Sequence, residues 1–76
     1  MIVERYIACI RGTPTDAFHL SQLEVIAYAR RLRDALAVLQ SPATVSIHEE
    51  TTGETRACWM PSSDGWRVRT APGWFA

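Results

Sequence analysis

The chain has 76 residues, which is enough for one small domain with a single core but too few for a deep catalytic cleft. Eight arginines balance eight acidic residues, so the formal net charge of zero excludes a general polyanion binder but allows a local basic patch. No apolar run approaches the roughly 20 residues of a membrane span, so no membrane association is expected and a cytoplasmic location is predicted.

The first predicted element is a strand over Ile2 to Arg11, where β-branched and aromatic residues alternate with polar ones. Met1 runs directly into this charged segment, so no signal peptide is expected. Turning the Tyr6 side of the strand inward leaves both Arg5 and Arg11 in solvent. We therefore predict that Tyr6 faces the core.

A turn and a short lead-in follow this strand. Gly12 to Asp16 contains the residue types that favour turns. The next four residues, Ala17 to Leu20, form either a short second strand paired with the first or an irregular approach to a helix. A hydrophobic staple between Leu20 and Val25 favours the strand.

The run from Leu20 to Gln40 predicts the one long helix of the chain. Ser21 is a favourable N-cap, and Glu24 three residues later completes a capping box. Pro42 cannot continue the helix and therefore marks its end. Apolar residues at helical spacing predict a buried stripe made of Val25, Tyr28, Ala29, Leu32, Leu36 and Leu39.

The opposite side of this helix carries more large aliphatic residues than a solvated face usually does. Leu23 and Ile26 lie there, together with Arg30. Such residues are either scattered surface apolars, which are common, or a second binding surface through which the chain forms a homodimer.

Three further strands are predicted, over Ala43 to Glu50, Glu54 to Met60 and Trp66 to Thr70. Gly53 and Gly65 stand where hairpin loops need glycine. A single register brings the apolar residues of all three strands to one inward face: Val45, Ile47, Ala57, Trp59, Trp66 and Val68.

The elements together predict a two-layer α+β domain over residues 1–76. One long α-helix packs on an antiparallel sheet of four or five strands, and residues 71–76 form an irregular tail. Trp74 and Phe75 in that tail either fold back over the sheet or remain exposed.

The same register predicts a basic outer face of the sheet. It carries Ser46, His48, Arg56, Cys58, Met60, Arg67 and Arg69, with Arg5 and Arg11 added from the first strand. The arginine stems either cover bare sheet, or their guanidinium groups recognise phosphates or a carboxylate-rich protein. Base stacking is not expected, because Trp59 and Trp66 point toward the helix.

No catalytic, metal or cofactor site is predicted. His19 and His48 lie on separate elements without a recognisable nucleophile motif, and the adjacent carboxylates Glu49 and Glu50 point to opposite faces of a strand. The two cysteines lack a metal-binding spacing and predict free thiols in a reducing cytosol. An enzymatic function is therefore not expected.

The order of elements, carried by AFHLSQLEVIAYARRL and TVSIHEETTGETRACW, resembles that of some small phage-encoded anti-CRISPR proteins. The resemblance implies an inhibitor without enzymatic activity that binds a CRISPR effector complex in the bacterial cytosol, often over its nucleic-acid-binding surface. It carries over no functional residue, because no position-specific motif matches.

The leading hypothesis is a small protein-binding inhibitor or adaptor. Its partner-binding residues would be Arg56, Arg67, Arg69 and His48, with Arg5 and Arg11 contributing. The alternatives are a nucleic-acid-binding protein that uses the same arginines, and a homodimer through Leu23, Ile26 and Arg30.

Overall fold

The computed structural model describes residues 4–75, so residues 2 and 3 of the first predicted strand lie outside it. Within residues 4–75 one helix packs on one antiparallel five-stranded sheet, which confirms the predicted α+β fold. The elements are β1 (Tyr6–Ile10), β2 (Thr13–Pro14), α1 (Gln22–Val38), β3 (Val45–Glu49), β4 (Thr55–Ser62) and β5 (Gly65–Thr70). The strand order is β2-β1-β3-β4-β5. No helix in this range is long and apolar enough to cross a bilayer.

Helix α1 begins as predicted, with reciprocal hydrogen bonds between Ser21 and Glu24. The Glu24 N–H donates to Ser21 Oγ, and the Ser21 N–H donates to a Glu24 carboxylate oxygen, each over 3.3 Å. These bonds hold the pKa of the Glu24 carboxyl below its usual range. The helix is 17 residues long and ends at Val38, earlier than predicted. Leu39 is therefore 72% exposed, and its predicted burial was wrong.

The core lies between α1 and the centre of the sheet. As predicted, Val45 lies opposite Trp59 and Ile47 lies opposite Ala57. Tyr6 is also buried on this side, which confirms the predicted facing of β1.

The apolar side chains of strand β5 face the helix side of the sheet as predicted, but they are not fully buried there. Val68 lies opposite Trp59, yet 49% of it is exposed. The reason is geometric, because α1 packs on β1 and β3 and leaves this edge of the sheet uncovered.

The lead-in to the helix follows β1 without forming a second regular strand. Strand β2 contains only Thr13–Pro14, and beyond it Leu20 forms an isolated bridge to Tyr6 with N···O distances of 2.9 and 3.1 Å. His19 between them has a φ of 58°. The segment 17–20 is therefore irregular, and the strand that the staple favoured was wrong.

The C-terminal tail folds back over the helix side of the sheet and completes the core. Trp74 packs edge-on against Tyr6 with ring centroids 5.3 Å apart, and Phe75 stacks on Trp59 at 5.5 Å. Gln22 Nε2 donates a hydrogen bond of 2.7 Å to the Trp74 carbonyl oxygen. Of the two alternatives left open for the tail, the structure therefore shows the folded-back one.

The tail also covers part of the side of α1 that was predicted to be exposed. Ile26 is only 8% exposed, and the Arg30 guanidinium lies over the Phe75 ring at 5.3 Å. Of the three residues predicted for a dimer surface, Leu23 is 81% exposed and Arg30 is also exposed, whereas Ile26 is buried. The prediction that Ile26 lies on an exposed helix face was wrong, because Trp74 and Phe75 supply a cover that helical periodicity does not reveal.

Candidate partner-binding face

The outer face, the side of the sheet away from α1, is crossed by rows of neighbouring side chains. Residues opposite one another in antiparallel strands share a face, so Cys9, Ser46, Cys58 and Arg69 form one row from β1 to β5. Met60 and Arg67 are paired in an adjacent row. No helix or strand within residues 4–75 packs over this face.

Arg67 and Arg69 occupy one end of the outer face, on β5. Both residues are exposed, and neither forms an ion pair with a carboxylate of residues 4–75. Beside them Cys58 and Met60 are half-buried, and a groove of about 490 Å³ includes Cys58, Met60 and Arg69 in its lining. We call these four residues the β4–β5 patch.

Arg56 does not join this patch as predicted. The pairing of β3 with β4 shifts between Ile47 and His48, so that His48 lies opposite Thr55 and Arg56 is the extra residue of a β-bulge. A guanidinium nitrogen of Arg56 lies 3.8 Å from a carboxylate oxygen of Glu49, a buried residue opposite Tyr6. The prediction of Arg56 beside His48 was wrong, because strict alternation fails at a bulge.

His48 lies on the outer face as predicted, held between two hydroxyl groups. Its Nε2 is 2.9 Å from Ser46 Oγ and its Nδ1 is 3.1 Å from Thr55 Oγ1. A serine beside a histidine is the first half of a nucleophile–base arrangement, but the second partner here is a hydroxyl instead of a carboxylate. These contacts orient the imidazole ring and tie it to the sheet.

The two arginines at the start of the chain lie apart from the β4–β5 patch. Arg5 precedes β1, and its charge helps to lower the pKa of Glu24 after the larger effect of the Ser21 hydrogen bonds. Arg11 lies in the turn between β1 and β2 with a φ of 52°. Strands β3 and β4 separate β1 from β5, a distance of about 14 Å at the usual strand spacing.

Of the six residues predicted to bind a partner, the structure thus brings Arg67 and Arg69 together on β5, with His48 on the same face. Arg56 lines the same groove as Arg69, but its guanidinium is turned toward Glu49 and Glu54. Comparisons with protein-family models, with curated proteins and with solved structures found no match. Among residues 4–75 there is also no cluster of side chains suited to a metal ion. What the outer face offers chemically is two guanidinium groups, without ion-pair partners among the described residues, beside two sulfur-containing side chains.

The two thiols share the outer face with Ser46 between them. Cys9 and Cys58 are two strand spacings apart, which puts their Cα atoms about 10 Å from each other. A disulfide allows roughly 7 Å between Cα atoms, so these two cysteines are too far apart to form one. Burial raises the pKa of the Cys9 thiol, and burial also raises that of Cys58, where the charge of Arg69 partly opposes the effect. Both thiols are therefore expected to stay protonated at neutral pH.

We expect iodoacetamide to alkylate these cysteines slowly at neutral pH and faster only above the ordinary titration range of a thiol. Half-buried Cys58 should be labelled before buried Cys9. The variant Arg69→Ala should react more slowly still at Cys58, because removing the positive charge raises the thiol pKa further. Mass spectrometry of timed samples measures each rate, and labelling of both sites at the rate of free cysteine would contradict the expected burial.

Proposed function

We propose that this chain is a small non-enzymatic protein-binding inhibitor or adaptor that contacts its partner through the β4–β5 patch. The observation that supports the proposal is the pair of exposed guanidinium groups without carboxylate partners among residues 4–75, on a sheet face that no described helix or strand covers. Arginine and methionine are enriched at protein interfaces, and guanidinium binds carboxylates through two parallel hydrogen bonds. The patch therefore suits an acidic protein surface.

Nucleic acid is the weaker candidate for this face. The guanidinium of Arg56 lies near the carboxylates of Glu49 and Glu54. Arg67 and Arg69 are therefore the two neighbouring arginines on the outer face that could contact phosphates. Two phosphate contacts would give a log–log salt slope of only about 2 and correspondingly little affinity. Trp59 is buried on the helix side and offers no platform for base stacking.

The resemblance to phage-encoded anti-CRISPR proteins extends the proposal to a class of target, a CRISPR effector complex in the bacterial cytosol. The nucleic-acid channel of such complexes is positively charged. A patch built on Arg67 and Arg69 would therefore meet an acidic part of the complex outside that channel, and in this respect the proposal departs from the nucleic-acid-binding surface that the resemblance implies.

Charge reversal tests the proposal. The tagged native chain is used to capture partners from bacterial lysate with and without nuclease treatment, and mass spectrometry identifies the protein recovered in stoichiometric amount after nuclease. We expect the double variant Arg67→Glu with Arg69→Glu to lose that protein. The matched control reverses Arg11 and Arg31, which are also exposed and change the net charge equally.

Three results would contradict the proposal. Retention of the partner by the Arg67/Arg69 variant would place the contact elsewhere, and equal loss with the control would indicate a nonspecific charge effect. Recovery of nucleic acid without protein, abolished by nuclease, would favour the nucleic-acid alternative.

A further inference from the structure

The two edges of the sheet differ in how far they are covered. On the β1 side, β2 and the following residues up to Leu20 continue to hydrogen bond along the strand, for example from the Ala8 N–H to the Ala17 carbonyl over 3.0 Å. On the other side β5 is the last strand, and no strand of residues 4–75 pairs with its outer edge. A row of main-chain groups is therefore open on β5.

The hydrogen bonds between β4 and β5 show which β5 residues have main-chain groups that point away from β4. The Ala71 N–H donates to the Arg56 carbonyl oxygen over 2.7 Å. Since hydrogen-bonded pairs alternate along an antiparallel ladder, the main chains of Arg69 and Arg67 also bond to β4. The N–H and C=O groups of Trp66, Val68 and Thr70 consequently point away from β4. We call these groups the β5 edge.

The β5 edge lacks most of the features that usually block strand addition. Gly65–Thr70 contains no proline, and its six residues pair with β4 without a bulge. The charges on β5 are those of Arg67 and Arg69, both on the outer face. On the opposite face Val68 is 49% exposed beside half-buried Trp66, so an added strand would gain an apolar contact there.

The same charges disfavour a second copy of this chain as the added strand. Antiparallel pairing of two β5 strands about Val68 sets Arg67 of each copy opposite Arg69 of the other. Pairing about Arg67 sets that residue opposite itself. Like charges directly opposite one another destabilise a sheet, whereas carboxylates at alternate positions of an added strand would face both arginines.

We propose that the β5 edge binds an extended segment of an acidic partner as a sixth strand, with carboxylates against Arg67 and Arg69 and apolar side chains against Trp66 and Val68. This inference rests on the proposed protein-binding function and specifies its mode. Main-chain hydrogen bonds would supply affinity, and the alternation of acidic with apolar residues would supply specificity.

The test uses a capped heptapeptide that alternates valine with glutamate, and its counterpart with lysine in place of glutamate. Titration into the isotope-labelled native chain is followed by NMR. We expect the glutamate peptide to bind and to slow amide exchange at Trp66, Val68 and Thr70, and the lysine peptide not to bind. Absence of binding, equal binding of both peptides, or slowed exchange at other residues would overturn the inference.

A proline at position 68 provides the matched variant. The Val68 N–H points away from β4, so Val68→Pro removes a group of the β5 edge without removing a bond of the existing sheet. Val68→Thr keeps the N–H and serves as control. We expect Val68→Pro to bind the glutamate peptide at least about tenfold more weakly than Val68→Thr, since it loses a hydrogen bond and obstructs the added strand. Equal binding by the two folded variants would overturn the inference.

The lysate capture separates this inference from the proposed function. If reversal of Arg67 and Arg69 abolishes capture while Val68→Pro retains the partner, the patch binds protein without strand addition and only the inference fails. If capture survives both changes, the proposed function fails as well. A doubled mass in light scattering, with protection of the same amides in the absence of peptide, would show that a second copy occupies the edge and would also overturn the inference.

Discussion

Replacing Trp59 by alanine is expected to lower the free energy of unfolding by about 3–5 kcal/mol, the range observed when large aromatic residues are removed from cores. Trp59 is 1% exposed and is the largest of the fully buried side chains. It lies between Val45 of β3 and Val68 of β5, and its ring stacks on Phe75 at a centroid distance of 5.5 Å. Its removal would leave a cavity beneath the C-terminal tail.

The matched control is Trp66→Ala. Trp66 is the same residue type on the same side of the sheet, but it lies on edge strand β5 and is only half-buried. We expect Trp66→Ala to lower the free energy of unfolding by about 1–2 kcal/mol, because only part of the ring is buried. Urea unfolding followed by circular dichroism measures both variants. An effect near zero for Trp59→Ala, or equal effects for the two, would contradict the facing of β4.

The second large effect is expected at the tail, where Trp74→Ala should cost about 3 kcal/mol or more. Trp74 is 8% exposed, packs edge-on against Tyr6 and accepts a hydrogen bond from Gln22 through its carbonyl oxygen. Loss of the ring would uncover Tyr6 and Ile26 on the helix side of the core. The variant should therefore unfold at lower urea concentration and bind an apolar dye that the native chain does not bind.

Leu23→Ala is the control for this experiment. Leu23 lies on the same side of α1 near the tail, but it is 81% exposed, so its truncation should change stability by no more than about 0.5 kcal/mol. If Trp74→Ala were as stable as Leu23→Ala, the tail would not close the core. Dimer formation by Trp74→Ala would indicate that Ile26, once uncovered, forms the dimer contact that the helix pattern predicts.

Much of the fold follows from local sequence signals. Ser21 and Glu24 satisfy each other's backbone groups within one turn, so the start of α1 needs no information from the rest of the chain. The alternation of β3 and β4 permits one register in which Ile47 meets Ala57 and both apolar sides coincide. These features depend on residues close together in sequence or on a period that a strand must obey.

The candidate site was predicted less completely. The alternation of Arg67 and Arg69 correctly put both on the outer face, because β5 is regular. Arg56 was misplaced by a single extra residue in β4, and no local signal marks that bulge. Arg5 and Arg11 were grouped with the others by facing alone, although strand order puts them at the far side of the sheet.

The sequence by itself therefore determined the start and cap of the helix, the hairpins and the facing of the strands outside the bulge at Arg56, because each depends on nearby residues and a fixed period. Only the tertiary structure decided that Trp74 and Phe75 close the core, that Ile26 is covered and that β5 is the open edge of the sheet formed by residues 4–75. Those outcomes depend on the strand order and on contacts between residues far apart in sequence, such as Gln22 with Trp74, whose sequence separation is 52. Residue periodicity carries no information about such contacts, because they form only when the helix, the sheet and the C-terminal tail pack together.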